Sequence, residues 1–391
     1  MLFELSEEQQ LIKDTARDFA EKTLAPLSTQ IDREEKIQDA IISKLGELGF
    51  WSIIIPEEYG GAGLDTMSLA LVLEQISYAC ASTSVTLSVH TSLTCNALIK
   101  YGSPEQKKKY LPRLAKGELI GAFSLTEPDA GSDAASIKTH AHFDGKNYIL
   151  NGVKTFVTSG PVAGLIVLFA QTDAKATHGH ASGRSAAADK GISAFLVEPG
   201  FTGVKRGPAE EKMGVRGAPM CEIALEDAII PKANLLGQEN KGFNIAMDLL
   251  HCGRIGIAIQ SVGIAQACLD ASIKYARERK QFGKALNEFQ AVKWKLAEMA
   301  TDIEAARLLA YQAALMRDKG VPYAKEASMA KLFASTIANK SAKEALQIHG
   351  GMGYIKDFPI ERYFRDARVT EIYEGTSEVQ HLVISKFLTG D

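Results

Sequence analysis

The residues in this sequence best placed to do proton chemistry are the carboxylates near its C-terminus. In Glu371-Ile372-Tyr373-Glu374-Gly375-Thr376-Ser377-Glu378, one of them, Glu374, directly precedes a residue with no side chain. A carboxylate that takes a proton from carbon must come within hydrogen-bond reach of it. A glycine beside it lets backbone and substrate approach closely. The same letters also spell a helix stop followed by a new N-cap. Local sequence leaves both readings open.

Other chemistries find less support. The five cysteines (Cys80, Cys95, Cys221, Cys252, Cys268) show no CxxC spacing, so neither a metal site nor a redox motif is expected. His178 and His180 lie in a polar stretch, Ala174–Lys190, without carboxylate or thiol partners at ligand spacing, and read as solvated. A net charge of −3 gives no basic field for nucleic acid. No run approaches the roughly 20 uninterrupted apolar residues of a membrane span. Met1-Leu2-Phe3-Glu4-Leu5-Ser6 has no basic region followed by an apolar core. The expectation is a bacterial cytoplasmic protein, or a mitochondrial matrix protein freed of its presequence.

The elements that must position Glu374 fall into three blocks, 1–120, 121–235 and 236–391. The first reads as helical. Ser6 and Gln9 form a capping box ahead of Leu11, Ile12, Ala16, Phe19 and Ala20 at helical spacing, and Pro26 marks the expected end of that helix. Tyr59–Gly63 reads as a flexible connector. Further helices are expected over Thr66–Ile76 and Gln106–Leu114, the latter interrupted at Pro112. From Gly121 the pattern is β. Asp144-Gly145 and Asn151-Gly152 are hairpin-type pairs between the runs Ser136–His142, Tyr148–Leu150 and Lys154–Thr158. Leu165–Ala170, Ile192–Val197 and Glu222–Glu226 complete a small antiparallel domain. Beyond about residue 240 long helices return, with Phe289, Val292, Leu296, Met299, Ile303 and Ala306 on one apolar face. Helices, then strands, then helices give an α+β protein of separate domains, and no GxGxxG follows a strand.

Four stretches together resemble the acyl-CoA dehydrogenases. They are Phe123–Asp133 (FSLTEPDAGSD), Arg277–Gly283 (RERKQFG), Gln347–Gly353 (QIHGGMG) and Thr370–Gln380 (TEIYEGTSEVQ). The resemblance spans nearly the whole chain and leans toward the short-chain, butyryl-CoA branch. It implies an N-terminal helical domain, a middle β domain and a C-terminal four-helix bundle, with FAD between the last two.

The resemblance also implies roles. Phe123, Leu125 and Thr126 would meet the flavin ring, and Gly131 and Ser132 its phosphates; without a ligand the same run is turn chemistry. Phe156 and Thr158, two apart on a strand, would shield and hydrogen-bond the ring, with Phe156 standing where many relatives carry Trp. Arg279, Gln281 and Phe282 would reach FAD from a neighbouring subunit, although a solvated basic helix end would look alike. Gln347 with Gly350 and Gly351 would face the adenosine side, and Thr376 and Glu378 complete the cofactor set. Ser132, His251, Gly253, Arg254 and Gly375 are expected at the substrate. Most relatives have Asp or Asn at the place of His251. Gly253 stands where the isovaleryl and long-chain branches put the catalytic Glu, which leaves Glu374 as the base. Ser84 stands where glutaryl-CoA enzymes carry an arginine.

The activity so implied is removal of an α-proton by Glu374 and of a β-hydride by FAD, converting a short-chain acyl-CoA to the trans-2-enoyl-CoA. Electrons would pass to electron-transfer flavoprotein, and the assembly would be a homotetramer, a dimer of dimers. Branched, cyclic or dicarboxyl substrates, a flavin oxidase of the same fold, and a non-catalytic acyl-CoA-binding protein are the alternatives. Val85, Leu87, Val89, His90 and Leu93 are expected at the pocket floor, where His90 either packs or orients a polar acyl group.

Overall fold

The computed structural model describes residues 4–173 and 191–390. The 174–190 stretch, with His178 and His180, lies outside the described residues. The N-terminal block contains α1 (Glu7–Phe19), α2 (Ala25–Glu34), α3 (Asp39–Glu47), α4 (Thr66–Ala79), α5 (Ala81–Ser88), α6 (Asn96–Tyr101) and α7 (Pro104–Ala115). The Ser6–Gln9 capping box forms, each residue's side chain accepting from the other's N–H. Pro26 does not end the first helical run. A π-helical segment, Ala20–Leu24, carries α1 into α2 and leaves Pro26 in the first turn, where a missing N–H is harmless. Tyr59–Gly63 is a tight loop rather than a flexible connector: a Cβ on Gly61 would lie 2.0 Å from the Ile55 carbonyl oxygen. Helix α7 runs through Pro112 without a break, held by a Ser103–Gln106 capping box and by burial of Tyr110, Leu111 and Leu114.

The middle block holds β1 (Gly121–Ser124), β2 (His140–Phe143), β3 (Asn147–Thr158), β4 (Leu165–Gln171), β5 (Ile192–Val197), β6 (Val204–Arg206), β7 (Met220–Pro231) and β8 (Leu235–Leu236). They form one sheet in the order β6-β7-β3-β2-β4-β5-β8, with β1 also beside β4. The sheet is mixed rather than wholly antiparallel, since β4 pairs in parallel with both β1 and β2. Asp144-Gly145 does turn between β2 and β3, with Asp144 Oδ1 accepting from the N–H groups of Lys146 and Asn147. Asn151-Gly152 makes no hairpin. It sits inside the continuous β3, where the register against β7 shifts and Gly152 takes φ +148°. A Cβ there would meet Thr139 Oγ1 at 2.4 Å, so close approach, not a chain reversal, explains this glycine.

The C-terminal block comprises α8 (Gly242–Glu278), a short hairpin of β9 (Lys280–Gln281) and β10 (Lys284–Ala285), then α9 (Gln290–Asp318), α10 (Ala324–His349), α11 (Ile360–Arg368) and α12 (Ser377–Thr389). Helix α8 packs on α10, α9 and α4, and α11 and α12 pack on α10. On α9, Met299, Ile303 and Ala306 are buried, with Val292 and Leu296 partly so. By length and composition α8 could cross a membrane, yet 94% of its apolar window is buried within the fold. It is the core helix of the molecule. One apolar core joins α1 and α4 to the bundle, and a second joins α6 and α7 to one face of the sheet. The three blocks therefore share cores, and their relative placement is fixed.

Candidate active site

After α11 the chain makes one 3-10 turn, Val369–Glu371, and then leaves helical geometry. Glu374 takes φ +55° and Gly375 φ +96°, two consecutive left-handed residues. For a glutamate this conformation is costly and persists only where the surroundings impose it. Thr376 then caps α12, accepting from the Val379 N–H. The helix-stop reading of this segment is met, with Thr376 as the new N-cap. Both flanks of Glu374 are pinned. Tyr373 Oη donates to Gln260, while Gly375 O accepts from Gln380 Nε2 and from Lys331 Nζ, each at 2.8 Å. At φ +96° a side chain at 375 would be strained, and its Cβ would press on Gln380 Nε2 at 2.7 Å.

The Glu374 carboxyl is enclosed. Its Oε2 is buried without a hydrogen-bond partner among the described residues. Burial pushes its pKa from 4.5 up to about 7, against the opposing pull of Arg254 and Lys331. Gly253 on α8 faces it directly: a Cβ there would meet Oε2 at 2.6 Å. Next along α8, the buried Arg254 bonds Ser328 Oγ at 3.1 Å and His251 Nδ1 at 3.0 Å. Arginine can only donate, so Nδ1 accepts and the neutral imidazole carries its proton on Nε2. Burial, reinforced by Arg254, lowers the His251 pKa to about 4, in keeping with that neutral form. His251 also lines a cavity of about 740 Å³ with Asn96, Lys100, Arg317 and Tyr323.

The Phe123–Ser132 run is held from below by a buried ion pair. Lys154 Nζ, fully buried, lies 2.8 Å from Glu127 Oε1 and 3.0 Å from Leu125 O. Glu127 also accepts from the N–H groups of Lys138 and Thr139. Burial works to raise the Glu127 carboxyl, but the Lys154 charge and these hydrogen bonds hold it below its usual range. Burial lowers Lys154 to about 8. Thr126 O accepts from Thr155 N–H at 2.9 Å, which sets Thr126 beside the second irregularity of β3. There Phe156 takes φ +57° and stays 63% exposed. Thr158 lines a second cavity, about 260 Å³, with Val85, Met220, Ile372 and Tyr373. Strand β3 and the Glu374 loop thereby meet across one cleft. The hydroxyls of Thr126 and Thr158 have no protein partner among the described residues, and a Cβ on Gly131 would meet nothing within 4 Å. An apolar slot with the free Thr158 hydroxyl on its wall fits a flavin ring.

The sequence reading missed one wall of this cleft, the loop from Lys212 to Gly217. Val215 (φ +44°) donates its N–H to Asp366 Oδ1, Gly217 donates to Ser82 Oγ, and Arg365 binds Met213 O. The glycines Gly214 and Gly217 were its only sequence signal. Lys331 was also missed.

Other expected residues lie elsewhere. Phe282 and Gly283 form the left-handed tip of the β9–β10 hairpin, with Phe282 93% exposed and Arg279 and Gln281 also on the surface. Gln347, Gly350 and Gly351 are exposed at the end of α10, Ser132 is exposed, and Glu378 is exposed on α12. Within one chain none of these lines either cavity. His90 is fully buried: its Nδ1 accepts from the Gly121 N–H at 3.0 Å and its ring stands edge-on to Trp51. It docks β1 onto the helices through Nδ1, while its Nε2 is buried without a partner among the described residues. Ser84 is buried against Leu73 O, and Cys252 is buried with its thiol pushed up by desolvation.

Comparison with known proteins follows this geometry. Residues 6–118, 122–228 and 240–389 match, in order, the N-terminal, middle and C-terminal domains of acyl-CoA dehydrogenase. A short-chain-specific acyl-CoA dehydrogenase of Clostridium acetobutylicum is 46% identical over 98% of this chain and 99% of its own. Butyryl-CoA dehydrogenase of Megasphaera elsdenii superposes with a TM-score of 0.93 at 40% identity, covering both chains fully. A chain solved in work on the electron-transferring flavoprotein of Acidaminococcus fermentans and flavin-based electron bifurcation gives 0.95 at 46%, again covering both chains fully. With all three domains matched and such identity along its whole length, this chain belongs to the acyl-CoA dehydrogenase family and is an oxidoreductase acting on CH–CH groups.

Proposed function

We propose that this enzyme dehydrogenates short, straight-chain acyl-CoA thioesters to trans-2-enoyl-CoA, with Glu374 as the base. The observation that carries the reading is the Glu374 carboxylate itself: buried and unpaired at Oε2, with a proton affinity near neutrality, and packed against the side-chain-free Gly253. A base poised near the working pH combines the right protonation state with driving force for transfer. Glu374 takes the α-hydrogen as a proton, and the bonding pair left behind becomes the new Cα–Cβ double bond as the β-hydrogen departs with its electrons. Bound FAD supplies the acceptor for that hydride. The Glu374 N–H has no acceptor among the described residues and is free to donate to the thioester oxygen. One such preorganised donor is worth roughly 2.7–4 kcal/mol where measured in other enzymes.

Thr126, Phe156 and Thr158, with Phe123 and Leu125, would hold the flavin ring, and Gly131 and Ser132 its phosphates. The exposed Arg279, Gln281 and Phe282 would reach the cofactor of a second copy in a tetramer, with Gln347, Gly351, Thr376 and Glu378 completing the set. The cavity beside His251 and Tyr323, lined by Lys100 and Arg317 and also by Asp65 and Asp318, would take the CoA arm. Similarity to the chain from the electron-transferring flavoprotein work supports that flavoprotein as electron acceptor.

Chain length is read from one face of α8. Gly253, Gly256 and Gln260 share that face. The space over this face is taken by the Glu374 carboxyl at Gly253 and by Ser88 Oγ at Gly256, where a Cβ would approach within 2.3 Å. Gln260 is fully buried and tied at both ends, to Tyr373 and to Ala81 O. It closes the face about 10 Å beyond Gly253, seven residues at 1.5 Å each. Anaerobic flavin bleaching with a series from propionyl- to octanoyl-CoA, plus isobutyryl-, glutaryl- and cyclohexanecarboxyl-CoA, tests the reading. The maximum is expected at butyryl- or hexanoyl-CoA. A maximum at octanoyl-CoA, or with a cyclic or dicarboxyl thioester, would overturn it.

A further inference from the structure

Lys331 is out of place for a lysine. It lies on α10, fully buried, in a helix whose other lysines reach solvent. Burying an ammonium is costly unless it is well paired, yet among the described residues Nζ has a single hydrogen-bond partner, Gly375 O at 2.8 Å. Two of its three N–H donors are left over. Its position is the other notable fact. The partner carbonyl belongs to the residue after Glu374, the second of the two left-handed residues. Gln380 Nε2 donates to the same oxygen, so one carbonyl is gripped from α10 and from α12.

We propose that Lys331 is a positioning residue for the base: its ammonium clamps the Gly375 carbonyl, so fixing the left-handed Glu374–Gly375 turn, and presents a positive charge to the Glu374 carboxylate. The inference rests on Glu374 being the base and adds a second residue to that reading. The two side chains form no direct ion pair, so Glu374 Oε2 stays free for substrate. The charged and titratable groups around the carboxyl are Arg254 from α8, Lys331 from α10 and Tyr373 from its own segment, with Cys252 on α8. Glu371, from the 3-10 turn, and Glu378, from the start of α12, act on Lys331. Arg254 Nη1 bonds His251 and Ser328, while its Nε is buried without a partner among the described residues. Among the described residues, the one hydrogen bond that Lys331 Nζ makes is to the base loop itself.

A clamp alone and a clamp that also supplies charge differ in pH behaviour. Removing a nearby positive charge makes a carboxylate harder to ionise, and one unit of such shift is a tenfold change in the ionised fraction below the pKa. In K331M, kcat/KM for butyryl-CoA should fall about tenfold or more at pH 6 and recover much of that loss by pH 8.5, because its acid limb moves upward. K331R should keep the wild-type acid limb, whatever its absolute rate. Flavin content and thermal melting, read alongside, show whether each variant is folded and loaded. K331Q stands in if K331M does not fold. A loss in K331M that is equal at every pH, or no loss, would overturn the proposal. E374Q, run in parallel, separates the two levels: an active E374Q sinks the assignment of the base, whereas an inactive E374Q with an unshifted K331M sinks only the role of Lys331.

Discussion

Gly253 and Glu374 are complementary across the α8–loop interface: the carboxylate occupies the space that a side chain at 253 would fill, with Oε2 only 2.6 Å from the position of a Cβ. A contact under 3 Å forces something to move, and the mobile partner is the carboxylate. Gly253→Ala should therefore retain FAD and fold while lowering turnover by one to two orders of magnitude, since small misplacement of a reacting group is costly. Stopped-flow flavin reduction by butyryl-CoA measures it, and wild-type rates in a loaded G253A enzyme would show that the carboxylate does not need that space.

The raised proton affinity of Glu374 links the site to stability. A carboxyl at about 7 in the folded protein, against 4.5 ordinarily, favours folding in its neutral form. That contribution is fully present below pH 4.5 and is lost as pH rises through 7. Glutamine mimics the neutral acid at every pH. Glu374→Gln should thus stabilise the protein at pH 8 by on the order of 3 kcal/mol and have little effect at pH 4. Thermal melts at the two pH values, at matched flavin occupancy, would show the gap; an equal effect at both would remove desolvation as the cause.

Gln260 sets the far end of the proposed acyl channel. Gln260→Ala should shift preference toward longer chains, each accommodated methylene contributing about 0.8 kcal/mol, or roughly fourfold. The hexanoyl- to butyryl-CoA ratio of kcat/KM is the measurement. A ratio unchanged or lowered, in a folded variant, would place the end of the channel elsewhere.

The Glu127–Lys154 pair underlies the flavin-side loop. Lys154→Met leaves the buried Glu127 charge uncompensated and should cost about 3–5 kcal/mol, with loss of flavin accompanying it. Absorbance at the flavin band after gel filtration reads the second effect. Full flavin retention would mean that the backbone of Phe123–Ser132 holds its shape without the pair.

Much of this arrangement was legible in the sequence, for identifiable reasons. The capping box at Ser6–Gln9 and the apolar face of α9 are local patterns; the box appears as read, and the face runs from Val292 to Ala306, with Phe289 capping the helix outside it. Glu374 with Gly375 was legible because a left-handed turn selects glycine at its second position. Pro26 and Pro112 misled because a π-segment and strong side-chain burial override a local breaker. Asn151-Gly152 misled because glycine can answer to a close neighbour, here Thr139, as well as to a turn. Lys331 was invisible for a third reason. A lysine set among Ala330, Leu332 and Phe333 carries no local mark of what its ammonium will meet, and its partner, Gly375 O, lies 44 residues further along the chain. The Lys212–Gly217 wall depends likewise on partners far along the chain, Ser82 and Asp366.

The central claim is that Glu374 removes the substrate α-proton. Its most direct test is anaerobic, single-turnover flavin reduction by butyryl-CoA in the Glu374→Gln enzyme, with flavin content confirmed beforehand. Loss of a positioned general base predicts a rate about 10²–10⁴-fold below wild type, while Glu378→Gln reduces its flavin at close to the wild-type rate. Bleaching of Glu374→Gln at the wild-type rate would contradict the account.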